Sequence, residues 1–529
     1  AASHVPAGWF GVRVEAGDTR FRFFAPRATS VTLCVSSQTG MSDFQVHHLA
    51  QDRAGTWEVA VLGNLSGHFY HYLVDGDDEV SPGATFIPYR PVLDPYALAA
   101  LGPAGPGIIV KWPLPVAEPF APPKREDLVI VETHLRDLLA HAPAVLTSRE
   151  RLTFSGLAKW VRSKDCYLRK LGVNAIELQP VLEPDAKTSE EYFWGYMPVS
   201  FFAPASHYSS RPEVASGIAE FRDVVASFHE AGIAVILDIV YNHVGLPNHL
   251  ASIDKTLYFS TDRLGRLTNH SGCGNDLRAS SPAVRRLVID SLKYLVQTFD
   301  LDGFRLDLAD LLGLDFLREI ESELLPLKPS LHLIAEPWSF RGRLPAEVRD
   351  TTYSLWSDDL REGFLAYAKG KGDSASVLRW LQGHSLEKTS RPAQIVNYLE
   401  SHDDYAFLDR LTENPWRNGF NPTPLDLRRH RLALAVLFAS PGVPMLSAGQ
   451  DFLRSKKGVC NTYLRGDLNA LDYSLIEKYP EHHAYVRDWI TLRLSSIGKL
   501  FRPVCHPSQA YYQAFESEDG QAAALLINA

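Results

Sequence analysis

Cysteine is scarce in this chain of 529 residues: Cys34, Cys166, Cys273, Cys460 and Cys505 are an odd, scattered set with no C-x-x-C pair. That spacing argues against a structural zinc and against a disulfide framework. Long apolar runs are also missing, since the most apolar one, "LALAVLFASPGVPML" at 432–446, is short and interrupted by Pro441 and Pro444. It cannot span a bilayer. The first residues, "AASHVPAGWFG", have neither a basic n-region nor an apolar h-region, so a cytoplasmic location is expected; secretion is the alternative if a leader was removed ahead of residue 1. Positive charge is not in excess: the net charge of -9 argues against nucleic acid or a membrane as partner. No G-x-G-x-x-G opens a helix after a strand, which counts against dinucleotide binding, and no D-x-D-x-D-G loop marks a calcium site. Two sequons, at Asn64 and Asn269, are too short a pattern to carry weight.

What is present is a well-packed composition, 45% hydrophobic, 22% charged and 11% aromatic. Such a chain is too long for one core. An uncharged substrate suits it, with some of the aromatic residues free to stack on that substrate. From about residue 8 to 77, short alternating runs such as "TRFRFFAP", "SVTLCVSS", "FQVHHLAQ", "GTWEVAVLG" and "HFYHYLVDG" predict a β-sandwich over 1–105. A proline- and glycine-rich linker, 106–127, follows. The texture then changes to apolar strand-like runs separated by amphipathic helical stretches such as 217–231 and 283–299. The runs "LVIVETHLRD", "NAIELQPV", "IAVILDIVYNH", "LDGFRLDLAD", "LHLIAEPW", "TTYSLWSDDL", "QIVNYLESHDD" and "VPMLSAGQDFL" supply eight strands. This predicts an α/β fold, a (β/α)8 TIM barrel over 128–500, with a partial carboxyl-terminal β-domain at 501–529.

Within "DGFRLDLAD", at 302–310, strand alternation places Phe304, Leu306 and Leu308 on one face and Arg305, Asp307 and Ala309 on the other. Burying an ion pair is costly, and stability alone rarely selects one. Either Asp307 is wanted for chemistry, or the pair is a structural salt bridge on an edge strand. Other strand ends also finish in polar clusters: Asp238, Asn242 and His243; Glu336 with Trp338; His402, Asp403 and Asp404. Function sits at the carboxyl ends of barrel strands, and carboxylates converging there suggest glycoside hydrolysis. Arg305 should hold Asp307 ionised, which makes Asp307 the better nucleophile. Glu336 has Ile334, Ala335, Pro337 and Trp338 around it, apolar neighbours that should raise its pKa and make it the better general acid.

In order and on those strands, "DIVYNHV", "GFRLDLAD", "LIAEPW" and "YLESHDD" resemble the four signature regions of the α-amylase superfamily of glycoside hydrolases. The resemblance implies Asp307 as nucleophile, Glu336 as acid/base and Asp403 as the third carboxylate that binds and distorts the sugar ring. It further implies that Arg305, His243 and His402 hold substrate hydroxyls or the nucleophile and that Tyr196 stacks beneath the sugar being cleaved; Trp194 and Trp338 are further substrate-binding candidates. Within the superfamily, "YFWGYMPVSFFAPASHYSS", "NHSGCGND" and "AGQDFLRSKKGVCNTY" are similar to segments of the debranching branch, the isoamylases and pullulanases, and "FRFFAPRATSVTLCV" to the starch-binding-like module that precedes their barrels. Leu306, where Phe is common, and "ESHDDY" around the last carboxylate depart from the pattern.

These residues lead to a retaining hydrolase of α-glucans, with α-1,6 branch points of starch, glycogen or pullulan as the expected target. The alternatives are an α-1,4-acting amylase or neopullulanase, a glucan transferase, and a carbohydrate-binding protein on a catalytically dead barrel. Intact Asp307, Glu336 and Asp403 weigh against the last. No cofactor is required by this chemistry and no metal ligands are assigned; the resemblance allows a structural calcium near Asn242. His134 is expected to be a satisfied histidine of the barrel floor, Trp194 either a sugar platform or loop packing, and Asp238 an orienting partner for Arg305.

Overall fold

The computed structural model describes residues 4–77, 86–383, 389–412, 419, 421–506, 512–518 and 523–527. Eight strands open the chain: β1 (Gly11–Val14), β2 (Asp18–Phe24), β3 (Ala28–Ser36), β4 (Gln45–His48), β5 (Ala50–Gln51), β6 (Thr56–Leu62), β7 (Phe69–Gly76) and β8 (Gly107–Ile108). They form two four-stranded sheets, ordered β1-β2-β6-β5 and β4-β3-β7-β8. Alternation explains the sandwich: Phe21, Phe23, Val31, Leu33, Tyr70 and Tyr72 are all buried between the sheets. The run "FQVHHLAQ" is not one strand but two, because β4 pairs with β3 while β5 pairs with β6 in the other sheet. β8 closes onto β7 from within the segment read as linker.

The barrel strands are β9 (Ile130–Thr133), β10 (Ala175–Leu178), β11 (Ala234–Ile239), β12 (Gly303–Leu306), β13 (His332–Ala335), β14 (Ser354–Ser357), β15 (Ile395–Tyr398) and β16 (Val443–Ser447). They pair in parallel and in sequence, with β16 closing on β9. Every one of the eight apolar runs contains its strand. The two amphipathic stretches become helices Ser216–Glu230 and Pro282–Phe299, within a residue or two of the expected bounds. Closure removes the reading of Arg305 and Asp307 as an edge-strand pair, for β12 has neighbours on both sides.

Two separate apolar clusters follow from the alternation. Outward residues such as Val131, Ile176, Val235, Leu237, Phe304 and Leu333 join the core beneath the helices. Inward ones, including Ile130, Ala175, Ile236, Ile334, Val396 and Met445, plug the barrel. Beyond this plug, toward the carboxyl ends, the inward positions turn ionic. The alternation of 302–310 stops at Leu306, however. Asp307 lies just past the strand, Leu308 turns into the left-handed region at φ 42, and a short 3-10 helix, Ala309–Leu311, begins. Leu308 therefore does not continue the face of Phe304 and Leu306.

The sandwich is seated on the barrel. Arg27 pairs with Asp254, the Tyr96 hydroxyl donates to Asp290 (2.9 Å), and the Phe10, Tyr96 and Phe202 rings pack in series. His249 accepts from the Leu93 N–H (3.1 Å) and donates to the Pro103 carbonyl (2.7 Å), the pattern of a neutral ring, and burial holds its pKa down. At the other end, β17 (Tyr512–Glu516) and β18 (Ala523–Ile527) make an antiparallel pair.

Candidate active site

Strand register builds the centre of the site. Asp238 on β11 and Arg305 on β12 are direct cross-strand partners, both fully buried. The guanidinium contacts three carboxylates: Nη1 donates to Asp238 and to Asp307, each at 2.9 Å, and Nη2 lies 2.9 Å from Glu336 Oε2. The Trp356 ring, inward on β14, covers the guanidinium face at 4.1 Å. Asn242 donates from Nδ2 to both the carbonyl and the carboxylate of Asp307, at 2.9 Å each. Asp307 is thus fixed from two sides.

Glu336 follows β13 directly. The turn after Asp307 wraps around it, with the Leu308 N–H donating to Glu336 Oε2 (2.8 Å) and the Ala309 N–H to its carbonyl (2.9 Å). Burial pushes the Glu336 carboxyl up to about 8; Arg305 opposes this, and the nearby Asp307 and Asp403 add to it. Like charges crowded around one cation are better accommodated when one of them keeps its proton. The apolar-neighbour expectation gave the right direction, although the burial comes from the barrel rather than from the residues adjacent in sequence.

His402 lies between the ion layer and the cleft. Its ring stacks on Tyr196 (4.5 Å, 12° between planes) and meets the edge of Trp194 at 4.9 Å. The buried Glu132 of β9 holds it, accepting from the His402 N–H (2.9 Å) and pairing with Nδ1. Burial alone would lower the His402 pKa, but Asp403 and Glu132 raise it to about 10, so the ring is an imidazolium. Tyr196 in turn donates to Asp238. The Tyr196 ring therefore packs on His402 on one side, and Trp194, only 6% exposed, does more packing than presenting. His243 sits against the Tyr196 carbonyl through Nε2 and against Asn242 Oδ1 through Nδ1, both 2.6 Å. Burial lowers its pKa, with Asp307 acting in the opposite sense.

Asp403 differs from the other two carboxylates. Its side chain is 53% exposed, and its ionic neighbour is His402 Nε2 at 3.4 Å. All three carboxylates line one cleft of about 940 Å³, with Tyr196, His243, Trp194 and Trp338. That volume is at the upper end of ordinary ligand sites, and this cleft is open along one side by exposed Phe340, Tyr463 and Leu464. The structure thus brings together every expected site residue. His134 is not on the barrel floor: it follows β9 at the carboxyl end, where its Nδ1 caps helix Leu135–Leu139 and its Nε2 meets the Phe193 carbonyl at 2.8 Å. It is satisfied, but beneath the cleft.

Three members of the ion layer were not expected. Glu132, Glu177 and Trp356 all point inward, and Glu177, wholly buried with neither carboxyl oxygen bonded, has its pKa pushed well up by burial and by Asp238. It lies beside Glu132 on the neighbouring strand. Their sequence signal was parity: each sits two residues from an inward apolar position of its own strand, or shares the inward face, in a strand with no other charge. A calcium ion does not fit at Asn242, whose oxygen faces His243 and whose amide nitrogen serves Asp307.

Comparison with known proteins places this geometry. Residues 9–97 match the family model of carbohydrate-binding module 48, the isoamylase N-terminal domain. A pullulanase of Bacillus subtilis is 30% identical over 531 residues, covering 92% of this chain and 71% of the relative. A glycogen debranching enzyme of Salmonella paratyphi B is 28% identical over 541 residues, 88% of this chain and 80% of the relative. Among solved structures, the pullulanase from Bacillus acidopullulyticus superposes with a TM-score of 0.85 at 26% identity, over 98% of this chain and 67% of that one. A type I pullulanase from Bacillus subtilis complexed with maltose gives 0.83 at 26% identity, over 97% and 75%. With its module, its closed barrel and its ordered signature strands, the chain belongs to the debranching, pullulanase- and isoamylase-type branch of the α-amylase superfamily of glycoside hydrolases.

Proposed function

We propose that the protein hydrolyses α-1,6 branch linkages of starch, glycogen or pullulan with retention of configuration, using Asp307 as nucleophile, Glu336 as acid/base and Asp403 as the carboxylate that grips the sugar ring. One observation carries the roles: Asp307 and Glu336 share the Arg305 guanidinium, Asp307 being further tied down by Asn242 while burial raises Glu336 to about 8. At neutral pH one carboxyl then attacks while the other gives a proton. Asp307 adds to the anomeric carbon as the glycosidic C–O bond breaks, and Glu336 protonates the departing oxygen. The Glu336 carboxylate next takes a proton from water, whose oxygen displaces Asp307 and returns the site to its starting state. Tyr196, Arg305, His243 and His402 hold the nucleophile or the sugar, and Trp338 offers a face to the bound chain. No metal or cofactor has a part in these steps.

The branch-point preference is supported by the relatives' names, pullulanase and glycogen debranching enzyme. The five cysteines are all unpaired, which suits the reducing cytoplasm as its location. The test is product analysis with pullulan and with linear amylose. Maltotriose from pullulan, with amylose intact, is expected; panose or shortened amylose would transfer the reading to α-1,4 linkages. In the same assay Asp307→Asn, nearly isosteric, should fold and lose several orders of magnitude, about the scale of a missing covalent nucleophile. Turnover within tenfold of wild type would remove Asp307 from its role.

A further inference from the structure

Asp403 is half exposed, and among the described residues its side chain has only the ionic contact to His402 at 3.4 Å to hold it. Its backbone places it. The carbonyls of His402, Asp403 and Asp404 each accept a hydrogen bond, and the two residues that donate all three come from one segment after β16. Lys456 Nζ donates to the His402 carbonyl at 2.8 Å and to the Asp404 carbonyl at 2.9 Å, and the Asn461 N–H donates to the Asp403 carbonyl at 2.9 Å. The ammonium therefore bridges the peptide carbonyls on either side of Asp403.

Lys456 is only 1% exposed. Burial drives its pKa down to about 8, Arg454 adds to this, and Glu400, Glu132 and Asp404 favour the charge. Its own N–H is tied to Asp409 Oδ2 at 2.8 Å. A buried cation so surrounded could be nothing more than the counter-ion of Glu400 and its neighbours. Against that, both of its side-chain hydrogen bonds end on peptide carbonyls flanking Asp403, where a lysine supplies donors and no competing acceptor. The same segment carries Asn461, Tyr463 and Leu464 into the cleft wall. We propose that Lys456 is a positioning residue for Asp403: it fixes the main chain on either side of that carboxylate and links its placement to the cleft wall at 461–464.

This rests on the role of Asp403 given above, so the experiment separates the two in the full chain. Wild type and Asp403→Asn are assayed on pullulan; a loss of at least about a hundredfold in Asp403→Asn upholds that role, and a smaller one overturns it independently of Lys456. Lys456→Met is then placed in both backgrounds. Alone, it should lower kcat by about ten- to a hundredfold, with KM moving less than about threefold, since misplacing a reacting group acts on the transition state. In the Asp403→Asn background it should cost less than about threefold more, because residues acting through one group are not additive. Lys456→Gln, which keeps an amide donor, should fall between, and it replaces Lys456→Met in the cycle if calorimetry shows the latter unfolded. Wild-type kcat in a folded Lys456 variant, or an equal loss in both backgrounds, would overturn the proposal.

Discussion

At the scale of single residues, the site is a problem of distributing protons around Arg305. Asp238, Asp307 and Glu336 all reach one guanidinium, and burial leaves Asp238 raised to about 6 and Glu336 to about 8. With Glu336 as the acid of the proposed mechanism, activity should fall as pH rises through about 8. The limb belongs to the coupled carboxylates rather than to one of them. Glu336→Gln removes the titrating group, and its residual kcat/KM on a substrate with a good leaving group should be flat through that range. A basic limb that persists unchanged in Glu336→Gln would point to a different acid. Asp307 and Glu336 were legible in the sequence because a charge that closes an apolar strand-like run is conspicuous. Glu132 and Trp356 carry only the weaker signal of parity, and their partners, His402 and Arg305, are 270 and about 50 residues distant in the chain. Only closure of the barrel brings them together.

At the scale of elements, the strands end sooner than the apolar runs suggest, and the chemistry begins in the turns. β12 is only four residues long, and the step past Asp307 depends on Leu308 at φ 42, where a non-glycine residue costs about 1–3 kcal/mol. The strain is tied to function, for the Leu308 N–H donates to Glu336 Oε2. Leu308→Gly keeps both the N–H and the positive φ, so kcat should stay within about threefold. Leu308→Pro loses both and should cost about tenfold or more. Equal activity in the two variants would show that this hydrogen bond does not hold the acid. Periodicity located the helices 216–230 and 282–299 to within two residues, yet it could not locate this turn. Nothing in "RLDLAD" announces a left-handed leucine; the conformation aims its N–H at a residue 28 positions away, Glu336.

At the scale of the whole molecule, the sequence shows two textures, sandwich and barrel, with a proline-rich stretch between them, and both folds appear. Their docking was not legible, because its partners lie far apart: Arg27 with Asp254, Tyr96 with Asp290, Leu93 and Pro103 with His249. The sandwich core and the helical layer of the barrel form one apolar cluster. The full chain should therefore unfold in a single calorimetric transition, and two separated transitions would show that the parts are independent. Arg27→Ala, which leaves buried Asp254 without its cation, should cost about 1–3 kcal/mol and lower the midpoint of that one transition. The shared cluster also bears on how such enzymes can be rebuilt. A sandwich borrowed from a relative would have to bring its own match for the buried Asp254 carboxylate and the neutral ring of His249, or it would leave them short of a partner. The module is no cassette: it can be exchanged only together with the face of the barrel on which it rests.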